Sequence, residues 1–340
     1  MRKFLLSSEK LIGVPLVLFL FCVPLFFNAF QVNLMGKFII FALLAISLDL
    51  VWGYAGLLSI GHAVFFGLGG YIIALSYTFQ NGTPSFMKRF GIEEIPVFMQ
   101  PLTNIPTAFI LGLIIPAVVA ALVGFFILKS RVTGVYFSLI TLIMAALFQM
   151  IVINLQAYTG GFNGLMGLPR LPLFGKPFSL TTFYYIVLFV TIAVYFFAKA
   201  LTRSHFGKVL MSIRENEERT GFLGYDVSNY KIVIFTISGL IAGLAGMLYV
   251  SMNGFVGPSD VGIALSMSVI LWVAIGGRGT LMGAVVGAIG INYLSNSLSE
   301  SFPEIWYLLV GIVMVLVVMF LPDGVYGSFK KWLESRNASA

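Results

Sequence analysis

The chain has 340 residues, 59% of them hydrophobic and only 10% charged, with a formal net charge of +7. Soluble domains carry about 25% charged residues. With a mean hydropathy of +1.00, this composition excludes an ordinary soluble globular protein and predicts an all-α integral membrane protein. The basic residues fall between apolar runs, so the positive charge reads as topological bias and not as a surface for nucleic acid.

A helix needs about 20 apolar residues to cross the hydrocarbon layer. Such runs lie near 11–30, 34–53, 58–79, 105–128, 133–156, 181–201, 230–253, 263–276, 281–298 and 304–321. They predict a polytopic helical bundle of about ten transmembrane or re-entrant helices. The first run exceeds a usual signal-peptide core and more spans follow it, so a retained helix is expected. Cys22, the single cysteine, lies inside it, and no internal disulfide is possible. The second run holds Asp49, with Trp52 and Tyr54 close behind. The third carries Ser59 and His62 among glycines. The eighth is short and glycine-bounded, which suggests a broken or re-entrant segment.

A faint internal echo links GYAGLLSIGHAVFFGLGGY (53–71) with GRGTLMGAVVGAIGINY (277–293). Interrupted, glycine-rich segments in two halves of a transporter often line its central pathway. Glycines Gly53, Gly56, Gly61, Gly67, Gly69 and Gly70 also suit close helix packing.

Basic residues set the orientation. Arg2, Lys3 and Lys10 place the N-terminus inside, and Lys129, Arg131, Lys330, Lys331 and Arg336 share that side if the count is even. The loops 80–104 and 157–180 then face outward, although they carry Lys88, Arg89, Arg170 and Lys176. Both termini are therefore expected in the cytoplasm. The stretch 203–231 is the one long charged passage, with five basic and four acidic residues. On the cytoplasmic face, a polar loop of this size is where a membrane protein would meet a soluble partner.

Several chemistries are missing from the sequence. No G-x-x-x-x-G-K-[ST] phosphate loop, H-E-x-x-H helix or G-x-S-x-G elbow occurs, and the histidines are His62 and His205 alone. No nucleotide, metal or other cofactor bound by this chain is expected. Asp49 is the one carboxylate well inside a predicted span, too few for a proton relay. The driving force for any transport must then come from outside the chain.

WGYAGLLSIGHAVFFGLGGY (52–71), TGVYFSLITL (133–142), HFGKVLMSIRENEERTGFLGYDVSNYKIVIFTISGLIAGLAGMLY (205–249) and SVILWVAIGGRGTLMGAVVGA (268–288) resemble the branched-chain amino acid and urea ABC importer permeases. The likeness runs over nearly the whole chain. Within that family, GGRGTL at 276–281, the loop 84–100 and the segment 302–327 look like the urea-type subunit, the C-type partner of a heterodimeric permease pair. GGFNGLMGLP (160–169) is common to both branches.

The resemblance implies a single permease domain over 1–340, with a cytoplasmic loop at 203–230 carrying the coupling helix. It implies a cell (inner) membrane location and four kinds of partner. These are a homologous second permease subunit, two cytoplasmic ATP-binding subunits holding ATP and Mg, an extracytoplasmic substrate-binding protein, and a small-molecule substrate. The chain itself is then no enzyme. Its substrate would be urea or a similar small amide, with branched-chain amino acids as the alternative.

In the family the coupling helix docks on the ATPase, and its position matches Ile213–Gly224. Arg214, Glu215, Glu217, Glu218 and Arg219 are its candidate contacts. Glu215, Glu218 and Arg219 are expected on one short helix, terminated by Gly221 and Gly224.

The candidate translocation path comprises Asp49, Tyr54, Ser59, His62, Asn163, Trp272 and Arg278. Each also has a structural reading. Asp49 would serve equally in a cap or interhelical bond, and His62 in bonding a neighbouring helix. Arg278 would equally bond carbonyls freed where a helix breaks. Gln149, Asn154, Gln156 and Asn292 add amide groups that would suit urea or act as interhelical glue. Two rivals of other classes are a passive urea channel, which needs no docking loop, and an intramembrane enzyme, for which Asp49 with His62 is too sparse.

Overall fold

The computed structural model describes residues 2–302 apart from 131, 133 and 174–175, together with scattered positions from 304 to 329. Side chains are described from residue 11 onward, except at 172–177 and the other omitted positions. The expected span at 304–321 lies largely outside the described residues.

The other nine expected crossings are present as helices: α1 (Arg2–Phe26), α2 (Ala29–Asp49), α3 (Ala63–Phe79), α4 (Ile105–Lys129), α5 (Val135–Asn154), α6 (Leu180–Arg203), α9 (Val227–Asn253), α10 (Ile263–Gly276) and α11 (Leu281–Ser301). Between α6 and α9 stand two short polar helices, α7 (His205–Glu215) and α8 (Glu217–Phe222). Among the described residues, six helical stretches are long and apolar enough to cross a membrane. Leu11–Phe26, α3 and α10 are apolar but shorter. The chain is an all-α polytopic membrane protein. Among the described residues, β-structure is confined to two-residue strands, of which β1 (Leu165–Met166) pairs antiparallel with β2 (Phe255–Val256).

α2 is hydrophobic on every side, and such a helix belongs in the interior of a bundle. Ile40, Leu43, Leu44 and Ile46 are fully buried in it, and it packs against α11, α9, α6 and α10. Its N-terminus is fixed by a capping box, with the Asn28 side chain accepting from the Gln31 N–H.

α3, α4 and α9 form the tightest group in the molecule. Lipid tails are as apolar as leucine, so helices associate there through close packing, which small residues permit. A Cβ on Gly239 would lie 3.0 Å from the Pro116 carbonyl oxygen, and one on Gly243 would lie 3.0 Å from the Gly112 oxygen. Gly246 abuts the Phe66 carbonyl in the same way. The outer face of α4 instead presents Ile110, Ile114, Val118 and Leu122, all about half exposed. That four-residue spacing keeps one apolar stripe toward the surroundings.

Candidate functional site

Two crossings are short and follow irregular stretches, the third and the eighth, the latter as its glycine-bounded length suggested. α2 ends in a π-turn at Leu50–Tyr54, and an irregular stretch follows before α3 begins at Ala63. Likewise α10 has only 14 residues and follows the irregular stretch after Asn253. Irregular backbone at membrane depth survives only where protein or a polar cavity satisfies its peptide groups. Here the partners are hydroxyls. Ser138 Oγ donates to the Leu58 carbonyl at 2.8 Å, and Thr141 Oγ1 accepts from the Ile60 N–H at 3.0 Å. Ser266 Oγ, in the first turn of α10, accepts from the Ala63 N–H at 3.1 Å. The starts of the two short helices therefore touch. Thr141 stands six residues into α5 and Gln149, beside Gly262, fourteen residues in. At about 1.5 Å per residue those positions are roughly 9 and 21 Å along the helix, so this polar seam runs along the middle of an apolar helix.

His62, fully buried, is part of the seam. Its Nε2 lies 2.9 Å from Ser47 Oγ on α2 and 3.0 Å from Ser238 Oγ on α9. Each hydroxyl has one hydrogen, and both are committed. Ser47 Oγ donates to the Leu44 carbonyl and Ser238 Oγ to the Ser47 carbonyl, each at 2.6 Å. With the serine hydrogens directed to those carbonyls, Nε2 is assigned the N–H and Nδ1 is left as an acceptor. Nδ1 has no partner among the described residues, nor has the buried Ser59 Oγ.

A second cluster forms where α2 ends. Asp49 is fully buried and its Oδ1 accepts from the Gly279 N–H at 2.7 Å. Arg214 Nη1, at the end of α7, donates to the Gly53 carbonyl at 2.6 Å. Arg278 Nε donates to the Trp52 carbonyl at 3.2 Å, and its guanidinium lies 5.1 Å from the Trp52 ring centroid. A π-turn leaves carbonyls off the regular ladder, and two arginines collect them. The two echo segments meet at this point, because a Cβ on Gly53 would fall 2.6 Å from the Gly279 nitrogen. Arg278 thus takes the structural role of bonding carbonyls at a break, and it remains exposed.

The charged loop departs from the expected single helix. Asn216 adopts an extended backbone (φ −158°, ψ 102°) and divides α7 from α8. Arg214 and Glu215 close α7, whereas Glu217, Glu218, Arg219 and Gly221 belong to α8. Glu215 therefore does not share a helix with Glu218 and Arg219. The Asn216 side chain accepts from the Arg219 N–H at 2.9 Å, so an N-cap preference overrode helix continuation. Gly221 sits within α8. Gly224 follows the helix at φ +90°, a conformation that favours glycine.

Two ion pairs anchor the loop, one to α9 and one to α4. Lys231, 3% exposed, donates to Glu217 Oε2 at 2.6 Å. Lys129 on α4 pairs with Asp226 at 3.3 Å. Asp226 also caps α9 through the Asn229 N–H. That bond first, and Lys129 with it, holds the Asp226 carboxyl below its ordinary range. Phe222 and Leu223, by contrast, are 91% and 72% exposed.

The other expected path residues scatter. Tyr54 is half-buried in the π-turn, and Trp272 is buried against Phe41 with ring centroids 4.9 Å apart. Asn163 lies exposed in a short 3-10 turn by β1, apart from the seam. Reading the sequence missed Ser47, Thr141, Ser238 and Ser266, which carry most of the seam's bonds. Isolated serines and threonines in apolar helices give no local signal, since they are common as interhelical glue.

The description "branched-chain amino acid transport system / permease component" belongs to a family model that matches residues 30–318. The chain is 27% identical over 98% of its length to the high-affinity branched-chain amino acid transport system permease protein LivM of Escherichia coli, covering 78% of that protein. It is 25% identical to a probable branched-chain amino acid transport permease protein of Methanocaldococcus jannaschii, over 84% of this chain and 90% of the relative. It is 22% identical to the ribose import permease protein RbsC of Haemophilus influenzae, with 96% of both chains covered. No solved structure matches. The chain belongs to this permease family of ABC importers, and is a membrane transport subunit and not an enzyme.

Proposed function

We propose that the chain moves urea, or a similar small amide, across the inner membrane by alternating access, driven by ATP hydrolysis on partner subunits. The observation that carries this reading is the seam at Ser59–His62. Its tautomer leaves a buried Nδ1 acceptor beside the meeting point of two interrupted helices. Urea offers four N–H donors and one acceptor, which suits neutral groups of this kind.

A zwitterionic amino acid would need both of its charges answered inside the membrane. Among the described residues the buried charged side chains are Asp49 and Lys231, each held by a local partner. The resemblance of 84–100 and 276–281 to the urea-type subunit points the same way. Branched-chain amino acid transport is the second reading, favoured by the names of the Escherichia coli and Methanocaldococcus jannaschii relatives.

In either case α8, which ends in Phe222 with Leu223 as its C-cap, is the docking element for an ATPase. Arg214 relays its displacement to the π-turn of α2. The loop side is cytoplasmic, the single domain spans 1–340, and nucleotide and Mg sit on the ATP-binding subunits. A second homologous permease subunit and an extracytoplasmic binding protein complete the importer.

Uptake of labelled urea and of labelled leucine by the reconstituted complex, with and without ATP, tests the proposal. ATP-dependent urea uptake is expected. Leucine uptake without urea uptake would overturn the substrate, and urea flux indifferent to ATP would overturn the pump in favour of a channel.

A further inference from the structure

A second polar group stands beyond the seam, toward the end of the bundle opposite α7 and α8. The irregular stretch between α9 and α10 makes one 3-10 turn at Pro258–Asp260, two residues short of Gly262, which meets Gln149 of the seam. Half-buried Asp260 caps this turn, its Oδ2 accepting from the Gly257 N–H at 2.8 Å. Among the described residues its Oδ1 has no hydrogen-bond partner and its carboxylate enters no ion pair.

Two phenols stand beside it. α3 and α9 run together toward this end, with Tyr77 Oη 2.8 Å from Ser251 Oγ. Tyr71, 6% exposed, lies on α3 about 12 Å along the helix from Ala63 and the seam. Its buried hydroxyl has no partner among the described residues. Tyr249 lies on α9, its ring held against Phe41 and Phe66 with centroids 5.5 and 5.2 Å apart. The Asp260 charge acts on both phenols, yet neither hydroxyl bonds to it, so a gap separates the three.

The free hydrogens at this gap follow from the bonds behind it. The Lys37 ammonium can only donate, and it donates to Asn253 Oδ1 at 3.3 Å. That turns Asn253 Nδ2 toward Tyr249, whose oxygen accepts at 3.3 Å. The Tyr249 hydrogen is left uncommitted, as is that of Tyr71. Buried polar groups are nearly always bonded. An orphan phenol beside an unpaired carboxylate oxygen therefore calls for a ligand that carries both N–H and C=O groups.

We propose that Asp260, Tyr71 and Tyr249 form a binding station for the transported solute, one step beyond the seam. The Asp260 carboxylate accepts from the solute's N–H groups, and the two phenols donate to its carbonyl. This rests on the reading that a small amide is carried, and it makes Asp260 a specificity-determining residue. An ionised acceptor binds N–H donors more strongly than a neutral one does.

The station is tested by ATP-dependent uptake of labelled urea into vesicles holding the reconstituted complex. Asp260→Asn keeps an oxygen for the Gly257 N–H and so preserves the turn. It should raise KM about tenfold and leave the maximal rate nearly unchanged. Tyr71→Phe removes a hydroxyl that bonds nothing in the fold, and should raise KM by a smaller factor. Guanidinium presents a similar set of N–H donors with a positive charge, so it should inhibit urea uptake by the wild type and not by Asp260→Asn. Unchanged KM in both variants would overturn the station, the gap then holding water only. So would a lower maximal rate at unchanged KM, the mark of a purely structural turn. Leucine uptake without urea uptake by the wild type would instead sink the substrate reading. KM of Asp260→Asn is then read on leucine, whose ammonium also donates N–H groups, and an unchanged value there would overturn the station as well.

Discussion

The buried junction at the end of α2 and the exposed surface around α8 lie within one stretch of α7 from each other, yet they handle their polar and apolar groups oppositely. At the junction, Asp49, Arg214 and Arg278 reach partners about 160 to 230 residues distant in the chain. At α8, the largest apolar side chains, Phe222 and Leu223, face outward at 91% and 72% exposure. Monomeric surfaces seldom display such groups without a binding use. The difference separates a part of the molecule completed by its own fold from one whose largest apolar side chains the fold leaves uncovered, with Arg214 lying between the two.

The sharpest way to break this contrast is to force a side chain into the junction. Gly53→Val should disrupt it outright, because its Cβ would fall against Asp49 and 2.6 Å from the Gly279 nitrogen. Overpacking of this kind costs about 1–3 kcal/mol or more. Loss of monodisperse protein in size-exclusion chromatography is the readout.

On the other side, Phe222→Ala with Leu223→Ala should leave stability within about 0.5 kcal/mol, as for exposed positions generally. ATP-driven uptake and co-purification of the ATPase should nevertheless fall about tenfold or more if these are anchor residues. Unchanged uptake would place the docking surface elsewhere.

Smaller effects sharpen the comparison. Asp49→Asn keeps an oxygen for the Gly279 N–H, whereas Asp49→Ala leaves that donor bare at a cost of about 1–3 kcal/mol. Thermal unfolding should therefore rank the wild type and Asn variant above Ala.

Glu217→Gln should lower stability more than Lys231→Met, because only the former strands a buried ammonium. The same unfolding assay reads that ordering.

The smallest effect is a pH response. Asp226 titrates below its ordinary value in the folded state, through the Asn229 N–H and Lys129. Its contribution is complete near neutral pH and is lost as pH falls through the carboxylate range. Asp226→Ala should therefore flatten the acid side of the stability profile, followed by circular dichroism.

Much of this was legible before any coordinates. Nine runs of apolar residues became nine helices because the bilayer demands length and hydrophobicity, both of which are local properties. The glycine-rich echo at 53–71 and 277–293 picked out two segments that meet at Gly53 and Gly279. The residues doing the bonding were less legible. Ser238 reads as one more small residue in α9, yet it bonds both His62 and Ser47.

The segment expected as one coupling helix is two helices, because the capping preference of Asn216 competes with helix continuation, and sequence pattern alone does not weigh the two. By itself, then, the sequence determined the solvent in which the chain folds, the order of its described apolar helices, and the family to which it belongs. These follow from composition and from motifs contiguous in the chain. Only the tertiary structure decided that Asp49 is a clasp for Gly279 and that His62 is sealed among serines. Such roles depend on contacts between residues far apart in sequence, and no local pattern encodes those distances.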